Sequence, residues 1–514
     1  MDTGFLKSFL PEIFFSLATF SQLVFNSRFI NKVTFNFPII YKETFYQTLV
    51  IFICLFFVYC NLKIEGFFTN YLFVNEAGCR VLKLVVVFFT ILTTFFITRS
   101  ISFQSINFFE YFSVFLLSFL GLLLLISASD ILSAYLIIEM QALCFYILAS
   151  FKRGSSFSTE AGLKYFISGS FISGIFLLGA SLIYGCLGSL NFNLLNWLLS
   201  FDFSVELLSL KALVALGILL VTFTLFFKIA AAPFHFWSPD VYEGAPLAST
   251  IIFSIIPKVS LFVFLVRWVF AVSTFFLDAS VLFVFVSILS VFFGTFFAIR
   301  QKRVKRLVIY SSIAQVGFLI APFSMVSVEG FSYLIFFLIV YLTTSILVWG
   351  NLVSFYESFN KVSTFSAKAS RTFFISGLSG FSKVNKLSAI SFIIIFFSIS
   401  GIPPFSGFLA KIFIFLSLLD LKNFLGAFLL ISLNIISVYY YIRIIKIVFF
   451  EVKGIDKNSL EFQMTYPTYQ YESTSFILVC LLMSLIFIFV YPTFFFMISH
   501  YAVLSLENNF FIIS

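Results

Sequence analysis

Runs of apolar side chains, from 16 to 33 residues long, follow one another along almost the whole of this chain. Fourteen of them fall near 9–26, 45–60, 82–98, 108–128, 130–151, 161–187, 209–236, 247–271, 278–299, 306–325, 330–356, 387–419, 423–449 and 474–498. About 20 mostly apolar helical residues cross the roughly 30 Å hydrocarbon core of a bilayer. Only 10% of the 514 residues are charged, against about 25% in soluble domains. Mean hydropathy is +1.11. No soluble core could hide this much apolar surface, so the bilayer is the solvent. The expected fold is an all-α polytopic membrane protein with about 14 transmembrane helices.

Charge between the runs gives an orientation. With loops numbered by the span they follow, odd loops hold Arg28, Lys32, Lys42, Arg99, Lys152, Arg153, the RQKRVKR cluster (300–306), Lys361, Lys368, Arg371, Lys383, Lys386, Lys453 and Lys457. Even loops hold little beyond Lys63, Arg80, Lys83 and Lys422. Positive loops stay on the matrix or cytoplasmic side, which puts both termini on the opposite side. The N-terminal MDTGFLKSFLPEIFF runs into the first span with no Arg-rich presequence and no clear cleavage site, so that helix is expected to be retained. The 83 phenylalanines, with abundant Ile, Tyr, Ser and Asn, fit the AT-rich codon use of an organelle genome.

Soluble chemistries find no support. Cys54, Cys60, Cys79, Cys144, Cys186 and Cys480 form no CxxC and lie mostly in apolar runs, as small core hydrophobes do. Two histidines, His235 and His500, cannot complete a metal site with these scattered thiols. There is no Gly-rich phosphate loop and no hydrolase triad. The net charge of +9 sits in short loops between spans, which argues against nucleic acid as a partner. No metal and no bound cofactor is expected in this chain.

Inside the spans, four ionisable residues stand out: Glu139 in span 5, Lys228 in span 7, Lys258 in span 8 and Lys411 in span 12. Each costs roughly 2.5–3.5 kcal/mol on insertion scales unless it faces a wet or paired interior. Snorkelling explains a lysine near a helix end but explains Lys258 poorly. Lys164, near the start of span 6, can instead pair with Glu160 one turn before it. Two spans are also interrupted, span 7 at Pro233 and span 12 at Pro403 and Pro404 in GIPPFSGF. Proline frees backbone carbonyls that protein or water must satisfy. Broken helices in corresponding positions point to inverted repeats. These lie five helices apart, and an odd offset reverses topology. Spans 4–8 and 9–13 therefore read as inverted copies. The division is N-terminal helices at 1–107, a first repeat at 108–271, a second at 272–449 and a C-terminal loop and helix at 450–514. His235, about two turns past Lys228, could relay a proton.

FKIAAAPFHFWSPDVYEGAP (227–246) resembles a signature of the antiporter-like subunits of respiratory complex I. IIEMQALCFYILASFKR (137–153), STEAGLKYFISGSFISGIFLLGASLIYG (158–185), VKRLVIYSSIAQVGF (304–318) and GIPPFSGFLAK (401–411) are similar to further segments of that family. Together they cover spans 5 to 12. Lys411 resembles the N-type subunits, since the M-type usually has a glutamate there. The chain ends soon after span 14, unlike the L-type with its long lateral helix. IPKVS around Lys258 resembles mitochondrial versions. Arg303, where many relatives have an acid, and the Ser- and Lys-rich 361–386 region depart from the family pattern.

The resemblance implies a proton-translocating membrane-arm subunit of NADH:ubiquinone oxidoreductase. In it Glu139 and Lys228 form a coupling pair, with Lys164 joining from span 6. Lys258 is a central relay and Lys411 the outer-half group. It further implies that NADH, flavin, iron–sulfur clusters and ubiquinone are bound by other subunits. The implied partners are a neighbouring M-type subunit, small membrane subunits and lipids, and the implied location is the mitochondrial inner membrane with both termini in the intermembrane space. Two other readings compete: an Mrp-type sodium/proton antiporter subunit on the same helices, and a purely structural scaffold. Four costly charges and two helix breaks argue against the scaffold.

Overall fold

A computed structural model of the chain describes residues 9–29, 37–60, 66–68, 72–104, 110–200, 208–278, 280–362, 374–384, 386–451 and 472–511. Residues 363–373 and 385 of the 361–386 region lie outside the described residues, as do Lys32, Lys63, Lys368, Arg371, Lys453 and Lys457.

The first part of the chain forms α1 (Leu10–Phe29), α2 (Phe37–Cys60), a hairpin of β1 (Gly66–Phe68) and β2 (Phe73–Asn75), α3 (Ala77–Phe103), α4 (Glu110–Ser127), α5 (Ile131–Ala149) and α6 (Ser156–Leu187). Next come a short α7 (Phe192–Leu199), α8 (Leu208–Ile229), a short α9 (Trp237–Gly244), α10 (Leu247–Ala271) and α11 (Ser273–Asp278). The remainder forms α12 (Ser280–Arg300), α13 (Val304–Ile320), α14 (Val328–Val362), α15 (Phe381–Val384), α16 (Lys386–Ser400), α17 (Ser406–Asp420), α18 (Phe424–Phe449), α19 (Glu472–Val490) and α20 (Pro492–Phe511). Ten helices among the described residues are long and apolar enough to cross a membrane, eleven if the pair α19 and α20 counts as one. The chain is a polytopic, almost wholly helical membrane protein.

Helix falls on each of the fourteen apolar runs, with two differences. Span 7 ends at Ile229, not 236, whereas span 12 is interrupted at its prolines as expected, into α16 and α17. The last run, expected as one helix over 474–498, bends by 86°. Pro492 starts the second arm, because a proline lacks the N–H that would continue the first. The hairpin was not expected. Its three-residue strands pair Gly66 with Asn75, and Phe73 bridges to Ala128 in the α4–α5 turn.

The helices fall into two units. The first comprises residues 1–283, 323–332 and 497–514. Its centre is α10, in which every side chain from Leu247 to Ala271 is buried. A helix that is apolar all round has no face to offer water and takes an interior position. Pro257 inside it cannot donate to the Phe253 carbonyl; the Tyr242 hydroxyl donates to that oxygen instead, at 3.2 Å. Arg267, near the end of α10, donates to the Ile126 and Ala128 carbonyls at 3.1 and 2.7 Å. It thus closes the C-terminal end of α4, where unpaired carbonyls favour a cation.

The second unit comprises residues 284–322 and 333–496. α14 is largely buried there, and its Asn351 accepts a hydrogen bond from Ser391 of α16 at 2.9 Å. α18 is different: Phe424, Phe428, Ile431, Ile435, Tyr439 and Ile442 are all exposed. Spaced at three and four residues, they form one face of the helix.

Candidate functional site

The end of α8 explains how a lysine comes to sit beside a break. Ala230 has φ +63°. Its N–H bonds the Phe227 carbonyl at 3.0 Å, and that of Ala231 bonds the Phe226 carbonyl at 2.9 Å. This is the Schellman pattern, with alanine at the left-handed position usually held by glycine. Pro233 follows three residues on and cannot resume the helix. The Phe227 carbonyl also accepts from the Trp237 indole at 3.0 Å. Trp237 in turn stacks on Tyr165 of α6, with centroids 4.8 Å apart and planes at 3°. Lys228 is thereby fixed in the last turn of a helix whose end is sealed by an aromatic stack.

Lys228 Nζ lies 3.8 Å from Glu139 Oε1. That is an ion pair beyond hydrogen-bond reach, and neither atom has a hydrogen-bond partner among the described residues. At this distance the gross attraction is about 4 kcal/mol for an effective dielectric near 20. Small changes in separation therefore change the energy of both groups.

Lys228 and Lys258 line one cavity of about 30 Å³, enough for roughly one or two water molecules. Gln141, Tyr165, Trp237 and Tyr242 complete its polar and aromatic wall. Helical spacing places the wall residues: Ile138, Gln141, Ala142 and Phe145 share a face of α5, and Phe253, Pro257, Lys258 and Leu261 a face of α10. Gln141 is only 4% exposed, and a buried amide needs polar partners, which water in the cavity can supply.

Lys411 lies past the second break. α16 ends as α8 does. Gly401, at φ +82°, bonds the Ser398 carbonyl at 3.1 Å, and Ile402 bonds the Phe397 carbonyl at 3.0 Å. Pro404 stands three residues after Gly401, as Pro233 stands three after Ala230. The Lys411 ammonium donates to the Ile399 carbonyl at 2.7 Å, the Ser400 carbonyl at 3.1 Å and Asn434 Oδ1 at 2.6 Å. All three of its donors are thus engaged, two of them on the carbonyl end of α16, where the helix dipole is negative. Lys411 Nζ also sits 5.0 Å above the Phe318 ring.

The structure brings Glu139, Lys228 and Lys258 together, but not Lys164. Lys164 is half exposed and pairs with Glu160 at 2.7 Å and Asp240 at 3.7 Å. His235 is buried in the segment between α8 and α9 and is not part of the cavity wall. Among the described residues no three His, Cys, Asp or Glu side chains gather where they could hold a metal ion.

Sequence reasoning missed several polar groups. Gln141 and Asn434 are uncharged and raised no insertion cost to notice. Arg80 and Lys83, read as loop residues, are buried in α3. Lys83 pairs with buried Glu12 of α1 at 2.5 Å; Arg267 and Glu76 form a second buried pair at 3.5 Å. All four lie near the ends of apolar runs, where snorkelling is the ordinary expectation.

Comparison with known proteins agrees with this architecture. The profile of the family described as NADH:quinone oxidoreductase/Mrp antiporter, TM matches residues 128–437. The chain is similar to NADH-ubiquinone oxidoreductase chain 2 of Marchantia polymorpha, with 34% identity over 511 residues covering 98% of this chain and 99% of that protein. Its fold is similar to a chain of respiratory complex I from Thermus thermophilus (TM-score 0.74, 22% identity, 95% and 98% of the two chains). It is also similar to a chain of the Mrp complex from Dietzia (TM-score 0.77, 18% identity, 98% and 98%). Fold alone therefore does not separate a respiratory from an antiporter subunit, whereas the sequence likeness runs nearly end to end with a respiratory one. With a match that begins in the α4–α5 turn, passes both helix breaks and ends in α18, the chain belongs to the NADH:quinone oxidoreductase/Mrp antiporter transmembrane family.

Proposed function

We propose that this chain is a proton-translocating membrane-arm subunit of NADH:ubiquinone oxidoreductase, with no redox centre of its own. One observation carries the reading: Lys228, 3.8 Å from Glu139, shares a water-sized cavity with Lys258. Quinone reduction in other subunits, which hold NADH, flavin, iron–sulfur clusters and ubiquinone, alters the Glu139–Lys228 separation. The Lys228 proton then passes through cavity water to Lys258, and onward to Lys411, the outer-half group. Lys164 and His235 are secondary members of the path.

The fourteen-span reading, with inverted repeats in 108–271 and 272–449 flanked by 1–107 and 450–514, is supported by the matching ends of α8 and α16. In both, the left-handed residue precedes a proline by three positions. The proposed location is the mitochondrial inner membrane with both termini in the intermembrane space. The proposed neighbours are an M-type subunit, small membrane subunits and lipids.

Lys228→Ala in the assembled complex tests the function. Protons moved per electron and NADH:quinone turnover should both fall well below wild type while the complex still assembles. Unchanged stoichiometry and turnover would remove Lys228 from the path. The Mrp likeness of the fold leaves a second reading, a sodium/proton antiporter subunit. Transport that needs neither NADH nor quinone would select it.

A further inference from the structure

The second unit carries another polar feature, remote in sequence from the lysines of the proton path. A cavity of about 590 Å³ opens where α12 and α18 end. Three of its lining residues are cations, Lys302, Arg443 and Lys446, against one carboxylate, Glu451. We infer that this cavity and the exposed face of α18 bind an anionic phospholipid, with its phosphate among the cations and an acyl chain along the helix.

The cationic end is built and not merely a loose surface cluster. Arg443 donates one N–H to the Ile299 carbonyl in the last turn of α12, at 3.1 Å. That bond orients the guanidinium and leaves further donors for a phosphate oxygen. Lys302 is held by its backbone, whose carbonyl accepts from Ile375 N at 2.9 Å. Arg303 lies 5.9 Å above the Phe374 ring beside it. Lys446 and Glu451 are 3.9 Å apart, too far for a hydrogen bond, so the lysine keeps its donors. Lys302 and Arg303 follow predicted span 9 and Phe374 follows span 11, while Arg443 and Lys446 lie in the last two turns of α18. The cluster is thus at the helix ends that the charge pattern assigns to the cation-rich side, where anionic lipid surfaces attract Lys and Arg.

The apolar end distinguishes a lipid from a free anion. From Phe424 to Ile442 six side chains, each between 41% and 70% exposed, run down one face of α18 towards Lys446. From Lys446 to Ile435 is eleven residues, about 16 Å of helix. One leaflet of hydrocarbon is roughly 15 Å deep. A phosphate held by Arg443 and Lys446 therefore leaves one acyl chain alongside Ile442, Tyr439 and Ile435.

The test is photo-cross-linking in the intact complex, delipidated and placed in phosphatidylcholine nanodiscs. The probe is phosphatidylglycerol with a diazirine in one acyl chain, and labelled peptides are located by mass spectrometry. Label is expected on residues 435–442. It should fall about fivefold for each cation removed in Lys302→Gln and Arg443→Gln, and stay unchanged in Lys211→Gln, at an exposed lysine of α8. Lys446→Gln, at a side chain 66% exposed, keeps the test open if Arg443 is needed for assembly. Three outcomes would overturn the inference. Equal labelling by a diazirine phosphatidylcholine would remove the anion preference. Loss of label in excess inorganic phosphate, with no loss in excess unlabelled phosphatidylglycerol, would make this a free-anion site. Cross-links from the α18 face to another subunit, in place of lipid, would make it a protein interface.

Discussion

Lys411 uses all three ammonium donors on fixed acceptors, while Lys228 has only a carboxylate beyond hydrogen-bond reach. Two chemically identical side chains therefore sit in opposite settings. Lys411 is locked to the end of a helix, and Lys228 is free to respond to a change in Glu139. Gln141 lines the same cavity as Lys228 and Lys258, and its amide can present an oxygen to an ammonium or an NH₂ to a neutral amine. It can therefore hold cavity water in either protonation state of its neighbours. Gln141→Leu keeps the size and removes this dipole. Turnover is expected to fall about tenfold, the effect of losing one hydrogen-bonded group worth about 1.4 kcal/mol. Native electrophoresis should show normal assembly, and Gln141→Asn should recover part of the loss. The charged members of this site were legible because lysine and glutamate in apolar runs are costly. Gln141, Asn434 and Tyr242 were not, because nothing in an uncharged side chain separates a cavity wall from ordinary packing.

At the scale of the element, two helices stop in the same way with different residues at the left-handed position. Ala230 bears a Cβ at φ +63°, and Gly401 has none at φ +82°. For an L-residue this conformation costs roughly 1–2 kcal/mol. Ala230→Gly should thus be neutral or stabilising by up to about 1 kcal/mol. Gly401→Ala should destabilise by about 1–2 kcal/mol. Its Cβ would also approach Lys411 Cδ to 3.0 Å, so transport should suffer along with stability. Thermal melting of the purified complex separates the two variants; equal behaviour would mean that the shared geometry does not govern stability. Prolines 233, 403 and 404 announced the breaks in the sequence, but only approximately. The helices end three residues or so before them, at positions set by backbone hydrogen bonds that alanine does not signal. The bend at Tyr491 had a comparable sign in Pro492, yet the run of apolar residues across it read as one span.

On the scale of the whole molecule, buried ion pairs hold helices that are distant in sequence. Glu12 of α1 meets Lys83 of α3, and Glu76 meets Arg267 at the end of α10. Removing one partner of a buried pair leaves an uncompensated charge and costs about 3–5 kcal/mol. Glu12→Gln should accordingly lower the amount of assembled complex on native gels, and Glu12→Gln combined with Lys83→Met should recover much of it. No recovery in the double variant would mean that the pair does more than neutralise itself. That the chain is polytopic and almost wholly helical followed from apolar run length alone. How the chain divides did not, since no composition shift marks the points at which it passes between units.

That division has a consequence for how the protein is made. Residues 497–514 belong to the unit that also contains residues 1–283. In α20, Ala502, Val503 and Leu506 are fully buried, and Gly78 of α3 faces Ala502 and Leu506 with no room for a side chain. α3 therefore waits for about 420 further residues to be made before Gly78 meets Ala502. Until then the Gly78 face of α3 stands uncovered in the lipid, and a chain that lost α20 would show its damage at α3, more than 400 residues away.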